Sequence, residues 1–226
     1  MKIIENGTIT DVKGIKATGI SAKLKKSGKK DMALIYSEEK AVSAAVFTKN
    51  LAKAAPVILD IKHINNENTQ AIVVNSGNAN SCTGDTGLAN ARKMTELVAD
   101  KLGLKAEEVL VQSTGIIGVQ LDMKKIENGI EKVVENLSED GGIDAATAIM
   151  TTDTFIKQIC LEIEIDGKKA KVAGMCKGSG MIHPNMATML SFTVTDVNIE
   201  KSLLQKMFSE IADNTFNMIS VDGDTS

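Results

Sequence analysis

The sequence predicts a mixed α/β or α+β fold of stacked layers, and three observations lead there. Apolar residues recur with helical period in some segments and at every second position in others; the two kinds alternate along the chain; Gly, Asn and Ser punctuate them. The 226 residues are enough for one large domain or two small ones, each with its own core. No internal repeat or low-complexity tract appears, and Pro56 and Pro184 are the only prolines, so no flexible linker is expected.

Two amphipathic helices are the clearest elements. One opens near Thr86 and aligns Leu88, Ala91, Met94, Val98 and Leu102; the other carries Ile126, Ile130, Val133, Val134 and Leu137. A third is expected from about Ile199 through Leu203, Met207 and Ile211. Strands are expected over Ala33 to Tyr36, Val42 to Phe47, Ala71 to Val74 and Val109 to Val111. From Ile159 to Ile165 the apolar residues alternate with Glu162 and Glu164, and Asp166-Gly167 turns the chain into Lys171-Val172-Ala173, a β-hairpin signature. A further strand, Thr188 to Thr195, begins abruptly after the polar stretch 177–187, which places its first residue at a sheet edge. A last strand-like run spans Met218 to Val221, and the sequence stops just beyond it, as a piece of a longer chain would.

Bulk chemistry narrows the function classes. With 43% hydrophobic and 24% charged residues, and no apolar run near the roughly 18 to 20 residues of a membrane span, the composition is that of a soluble globular protein. The start, M-K-I-I-E-N-G-T, has an acid and a turn where a signal peptide needs an apolar stretch, so a cytoplasmic protein is expected. A formal net charge of −3 argues against a nucleic-acid binder. The one basic cluster, Lys23, Lys25, Lys26, Lys29 and Lys30 around Ser27-Gly28, is expected to be a solvated hairpin tip, because its ammonium groups repel one another. Cys82, Cys160 and Cys176 are odd in number and form no C-x-x-C, which suits free thiols.

Three stretches could carry chemistry. K-G-S-G-M-I-H-P-N-M-A-T-M-L, 177–190, is rich in residues that serve a site or a plain long turn equally well. N-S-G-N-A-N-S-C-T-G-D-T-G, 75–87, lies between a strand and a helix, the context of a phosphate cradle, but matches neither common phosphate-loop pattern. Q-S-T-G-I-I-G, 112–118, leaves a strand and offers the Thr114 hydroxyl and the Gly115 N–H as adjacent donors, an oxyanion hole or a strand-end turn. His63 and His183, the only histidines, lack metal-ligand spacing and a G-x-S-x-G elbow, so neither a metal site nor a serine–histidine triad is expected.

Taken together these stretches resemble the ornithine acetyltransferase family, also called glutamate N-acetyltransferase, over essentially the whole chain. The resemblance rests on A-A-V-F-T at 44–48, N-S-G-N-A-N-S-C-T-G at 75–84, S-T-G-I-I-G at 113–118, M-T-T-D-T at 150–154 and the long motif at 177–190, in that order, with the terminal S-V-D-G-D-T-S besides. It implies sheets sandwiched between helices, and a precursor about twice this length that cleaves itself between Ala187 and Thr188. Residues 1–187 would then be the first chain and 188–226 the start of the second, with further substrate-binding residues beyond Ser226.

In such a protein Thr188 is the nucleophile, and its hydroxyl also attacks the preceding carbonyl during self-cleavage. The freed α-amino group, with a pKa of about 7.7 to 8.0, serves as base without histidine. The resemblance further implies ping-pong transfer of acetyl from N-acetylornithine to glutamate, giving ornithine and N-acetylglutamate in arginine biosynthesis. Thr114 and Gly115 match the oxyanion pair, and Thr151, Lys177 and Thr188 the substrate-binding positions. The 75–84 stretch is expected to pack closely beside the site. No cofactor or metal is implied; the family divides by whether acetyl-CoA is a second donor, and the shared motifs leave that open. The partners implied are the two fragments themselves, two of each, and neither nucleic acid nor membrane. Two rivals remain: a self-cleaving aminopeptidase or amidohydrolase, in which water takes the acyl group, and a non-catalytic phosphate-binding module.

Overall fold

The computed structural model describes residues 1–185 and 188–225, and builds from them two four-stranded sheets and five α-helices. One sheet has the order β2-β3-β4-β5, formed by β2 (Ile15–Ile20), β3 (Met32–Ala41), β4 (Thr69–Asn78) and β5 (Val109–Ile116). Its strands pair antiparallel except β4 with β5, which run parallel from Ala71↔Val109 to Gly77↔Gly115. The other sheet has the order β1-β6-β7-β8, formed by β1 (Lys2–Ile4), β6 (Lys157–Ile165), β7 (Lys168–Lys177) and β8 (Leu190–Thr195), all antiparallel.

The period-two alternation of β3 and β4 explains how the layers stack. Met32, Leu34, Ala71 and Val73 face one way, into a core shared with α1 (Ala55–His63), α2 (Gly84–Leu102) and α3 (Met123–Glu135). Ala33, Ile35, Ile72 and Val74 face the other way, into a second core shared with α4 (Gly142–Ile149) and with Cys160, Ala173, Met175 and Phe192 of the other sheet. Both faces of this sheet are buried, so its central strands read as unbroken apolar runs.

The stripes foreseen for α2 and α3 are the buried ones: Ala91, Met94, Val98, Ile126, Ile130 and Val133 are fully buried. Gly103, at φ +68, ends α2 in the left-handed conformation, and the Asp122 carboxylate accepts the Lys125 N–H to open α3. The hairpin forms as expected, with Asp166 and Gly167 both at positive φ between β6 and β7. The third foreseen helix is α5 (Lys201–Asp213). No helix among the described residues is long and apolar enough to cross a membrane.

Four expectations need correction. Val42 to Phe47 forms no strand; it follows the end of β3 as irregular chain, and the side chain of Gln205 on α5 replaces a strand partner by accepting the Ala45 N–H and donating to the Ala45 carbonyl. The edge strand starts at Leu190, two residues later than expected. Met218 to Val221 is also not a strand: Phe216–Met218 makes a 3-10 turn, and Val221 N donates to the Ile182 carbonyl at 3.0 Å, so the run braces the 177–185 stretch instead.

The lysine cluster is only partly solvated. Lys23, Lys26 and Lys29 are exposed, but the buried Asp31 carboxylate gathers the N–H groups of Ala22, Leu24 and Lys25 and turns Lys25 inward. Sequence periodicity also gave no sign of α1 or α4. The first is nine residues long with Pro56 in its first turn; the second has only eight residues, buries Ala145, Ala146, Ala148 and Ile149, and leaves apolar Ile143 beside Asp144 on its exposed side, so no clean stripe forms.

Candidate active site

The ends of β4 and β5 create the centre of the site. Gly115 stands at φ +134, and a Cβ there would lie 2.3 Å from the carbonyl carbon of Gly77, so only glycine allows the two strands to approach this closely. Around Gly77 the side chains of the 75–84 stretch bond to one another, to Ser113 and to the backbone. Ser113 Oγ donates to Asn75 Oδ1 at 2.6 Å, Asn75 Nδ2 to the Asn78 carbonyl at 2.9 Å, and Thr83 Oγ1 to Asn80 Oδ1 at 2.8 Å. These bonds fix the strand ends that present Thr114 and Gly115, which is the close packing expected of this stretch.

A cavity of about 330 Å³ opens at that point, with Thr114, Gly115 and Thr188 all in its wall. Its other walls are mostly apolar and come from 42–48, β8 and α5. Thr114 is buried and Thr188 half-buried. Thr188 has φ +64, a left-handed conformation that a β-branched residue adopts at a cost of order 1–3 kcal/mol. Met181 and Asn185 share this conformation, and the stretch is clamped from the chain's other end. Met181 N donates to Asp222 Oδ2 at 2.7 Å, Ile182 N to Asp222 Oδ1 at 3.2 Å, and Asn185 N to Asn217 Oδ1 at 3.1 Å. The first of these N–H groups, opposed in part by burial, holds the Asp222 carboxyl below its ordinary range. Ala187, named as one half of the cleavage site, lies outside the described residues.

Thr151 and Lys177 do not line this cavity; they meet beside it around Asp153. The Asp153 carboxylate accepts from Lys157 Nζ at 2.6 Å, Gly178 N at 2.9 Å and Thr151 N at 3.2 Å. Burial pushes its pKa up, but these donors and the Lys177 charge prevail and hold it below the usual carboxylate value. Lys177 is 3% exposed, with the Asp153 and Lys157 charges acting on its ammonium. Burial lowers its pKa, with Asp153 opposing. Gln158 Oε1 is the enclosed side-chain polar atom without a partner among the described residues, so the Lys177 ammonium is not sealed in and an anion can reach it.

Neither histidine reaches Thr114, Gly115 or Thr188: His63 Nδ1 is 2.9 Å from the Val109 carbonyl, and His183 Nδ1 is 3.4 Å from Ser220 Oγ. The three cysteines are free. One buried acid in the cavity wall escaped sequence reading. Asp60 of α1 is 1% exposed and accepts from Val111 N at 2.9 Å and Gln112 Nε2 at 2.6 Å, on the strand that leads to Thr114. Burial pushes its pKa up to about 8 despite both bonds. A single acid in a short helix carries no pattern by which periodicity could find it.

Known proteins resemble this chain in sequence and fold. A family model described as ArgJ family matches residues 16–226. The Arginine biosynthesis bifunctional protein ArgJ of Caldanaerobacter subterraneus subsp. tengcongensis is 54% identical over all 226 residues, and ArgJ 1 of Clostridium acetobutylicum 53%. The chain spans 56% and 55% of those relatives, about half their length. Among solved structures, the Arginine biosynthesis bifunctional protein of Bacillus halodurans superimposes with a TM-score of 0.77 at 39% identity, covering 84% of this chain and 97% of that one. The ornithine acetyltransferase of Mycobacterium tuberculosis, solved in complex with ornithine, gives 0.77 at 37%, covering 84% and 99%. The L-aminopeptidase D-Ala-esterase/amidase of Ochrobactrum anthropi, at 14% identity and a TM-score of 0.55, shares the fold alone. The identity over the whole length, together with the match that begins at β2 and runs to the last residue, shows that this chain belongs to the ArgJ family.

Proposed function

We propose that the complete protein transfers acetyl from N-acetylornithine to glutamate through an acyl-threonine on Thr188, after cutting itself between Ala187 and Thr188. The observation that carries this reading is the placement of Thr114, Gly115 and Thr188 in one cavity wall, with no histidine among its lining residues. A hydroxyl nucleophile beside two oxyanion donors needs only a base, and a freed Thr188 α-amino group, of pKa about 7.7 to 8.0, provides one at neutral pH.

Self-cleavage comes first. Thr188 Oγ attacks the Ala187 carbonyl, the amide becomes an ester with release of the Thr188 nitrogen, and water hydrolyses the ester. The left-handed φ of Thr188 supports this step, because part of the strain would be released when the peptide bond ahead of it is cut. The lengths of the solved relatives support it too. Nearly all of each solved chain is matched by 84% of this one, a share close to that preceding Thr188, whereas the curated relatives extend far beyond Ser226.

In transfer, the Thr188 hydroxyl attacks the acetyl carbonyl of N-acetylornithine. The α-amino group takes the hydroxyl proton and passes it to the leaving ornithine amine. The reverse sequence with glutamate yields N-acetylglutamate. The Thr114 hydroxyl and the Gly115 N–H meet the oxygen of each tetrahedral intermediate, about 3 kcal/mol for a well-placed donor. Lys177 takes the substrate carboxylate and Thr151 lies beside it. The second half of the precursor supplies the remaining contacts, and the fragments assemble as two of each. Acetyl-CoA as a second donor is tested by glutamate acetylation with acetyl-CoA alone. The complete protein incubated with N-acetylornithine should release ornithine in step with formation of N-acetylglutamate. Acetate release independent of glutamate would make it a hydrolase instead.

A further inference from the structure

The proposed site uses Lys177 and Thr151, but the geometry around them includes a second inward-turned lysine. Lys25 Nζ donates to the Met150 carbonyl at 2.7 Å and to the Lys30 carbonyl at 2.8 Å. Met150 is the residue before Thr151. The Lys25 stem lies against Gly77: a Cβ on that glycine would come within 3.1 Å of Lys25 Cγ. Gly77 in turn is the partner of Gly115 across β4 and β5. One side chain therefore touches both the strand pair that presents the oxyanion donors and the turn that presents Thr151.

Its position is set by the sequence around it. The Asp31 carboxylate takes the N–H groups of Ala22, Leu24 and Lys25 at 2.6, 2.7 and 2.8 Å, and the Asp31 carbonyl accepts the Ser76 N–H at 2.8 Å. A residue fully buried between β3 and the turn thus ties the 22–25 backbone to the end of β4. With the backbone so fixed, the half-buried Lys25 side chain reaches the Met150 and Lys30 carbonyls.

Asp31, Lys29, Asp153 and Lys177 all act on Lys25 through space, and Asp153 and Lys157 act on Lys177, so the two lysines share the Asp153 carboxylate as a neighbour. That carboxylate is already paired with Lys157 at 2.6 Å, while Lys177 is 3% exposed. Burial, opposed by Asp31 and reinforced by Lys29, lowers the Lys25 pKa from its ordinary value.

We propose that Lys25 is a positioning residue of the transferase site: it clamps the Met150-Thr151 turn to the Gly77–Gly115 strand pair, and its charge completes with Lys177 a pocket for a single substrate carboxylate. This rests on the proposed transferase activity. It assigns to the basic stretch 23–30 a part in selecting an amino-acid substrate that carries a free carboxylate.

The test compares the complete protein with its Lys25→Met and Lys25→Arg variants on two acetyl donors, N-acetylornithine and its α-carboxamide. Lys25→Met should raise KM for N-acetylornithine about tenfold or more, with kcat within a few-fold, and alter kcat/KM for the carboxamide far less. Lys25→Arg, which keeps the charge, should recover most of the loss. Retention of self-cleavage in both variants reports that they fold. Equal losses on the carboxylate and the carboxamide, or wild-type kinetics in Lys25→Met, would overturn the assignment and leave the transferase activity standing. A wild-type protein that transfers no acetyl from N-acetylornithine would overturn both.

Discussion

A Cβ on Gly115 would lie 2.3 Å from the carbonyl carbon of Gly77 and 2.5 Å from the Asn78 nitrogen, so β5 is seated directly on the backbone of β4. The contact is backbone against backbone, and neither side can swing away. Gly115→Ala should therefore lose of order 1–3 kcal/mol of stability, from the left-handed φ alone, and displace the Gly115 N–H. Denaturant midpoints and transfer rates on the complete protein would show both losses; wild-type values of each would mean that the strands separate easily and that the approach has no function.

Thr114 offers a cleaner probe because its side chain can be removed without moving the backbone. Thr114→Ala should lower kcat about 10²-fold or more with little change in KM, since an oxyanion donor acts mainly in the transition state. An effect confined to KM would make Thr114 a substrate-binding residue.

Asp60 predicts a dependence of stability on pH. Its folded pKa, about 8, lies above the 3.8 of an unperturbed aspartate, so between these values the folded state holds a proton that the unfolded state has lost. The stability contributed by the neutral group is whole below about pH 4 and declines as pH rises to about 8. Asp60→Asn keeps an acceptor for Val111 N and, by turning the Gln112 amide, a donor for its oxygen. Relative to wild type, the variant should gain stability steadily from pH 4 to pH 8. A difference that stays flat across that range would show that Asp60 is ionised in the folded protein.

The fold was legible where a helix or strand has one wet face and one dry one. Met94 and Val98 on α2, and Ile126 and Ile130 on α3, could be read because polar residues separate them in a period set by the helix. The helix α4 could not, since it has only two turns and its exposed side mixes apolar Ile143 with Asp144, which blurs the period. Val42 to Phe47 misled for a related reason: its apolar residues face the cavity and α5 rather than a sheet, and Gln205 satisfies Ala45 without a ladder. The candidate site was legible through motifs. Thr114, Gly115 and Thr188 do meet at one cavity, and Thr151 and Lys177 meet at Asp153. Lys25 and Asp60 escaped because their roles come from tertiary contacts: the same lysine in the same sequence could as well have pointed into water.

The pairing of β7 with β8 bears on the proposed self-cleavage, because it would govern the fate of the two fragments. Lys177↔Leu190 through Val172↔Thr195 join strands on opposite sides of the Ala187–Thr188 bond, and Asp222 and Asn217 hold the 181–185 stretch from the far side as well. The two fragments should therefore co-elute on size exclusion in native buffer and part only in denaturant. Fragments that separate in native buffer would show that the shared sheet does not survive the cut.

The most direct measurement is the intact mass of the fragment that begins at Thr188, taken after brief exposure of the complete protein to N-acetylornithine and again after glutamate is added. The fragment should gain one acetyl group, borne by Thr188, and lose it to glutamate, while Thr188→Ala should run as a single uncut chain without the adduct. A stable acetyl group on another residue, or efficient cleavage and transfer by Thr188→Ala, would contradict the assignment of Thr188 as nucleophile.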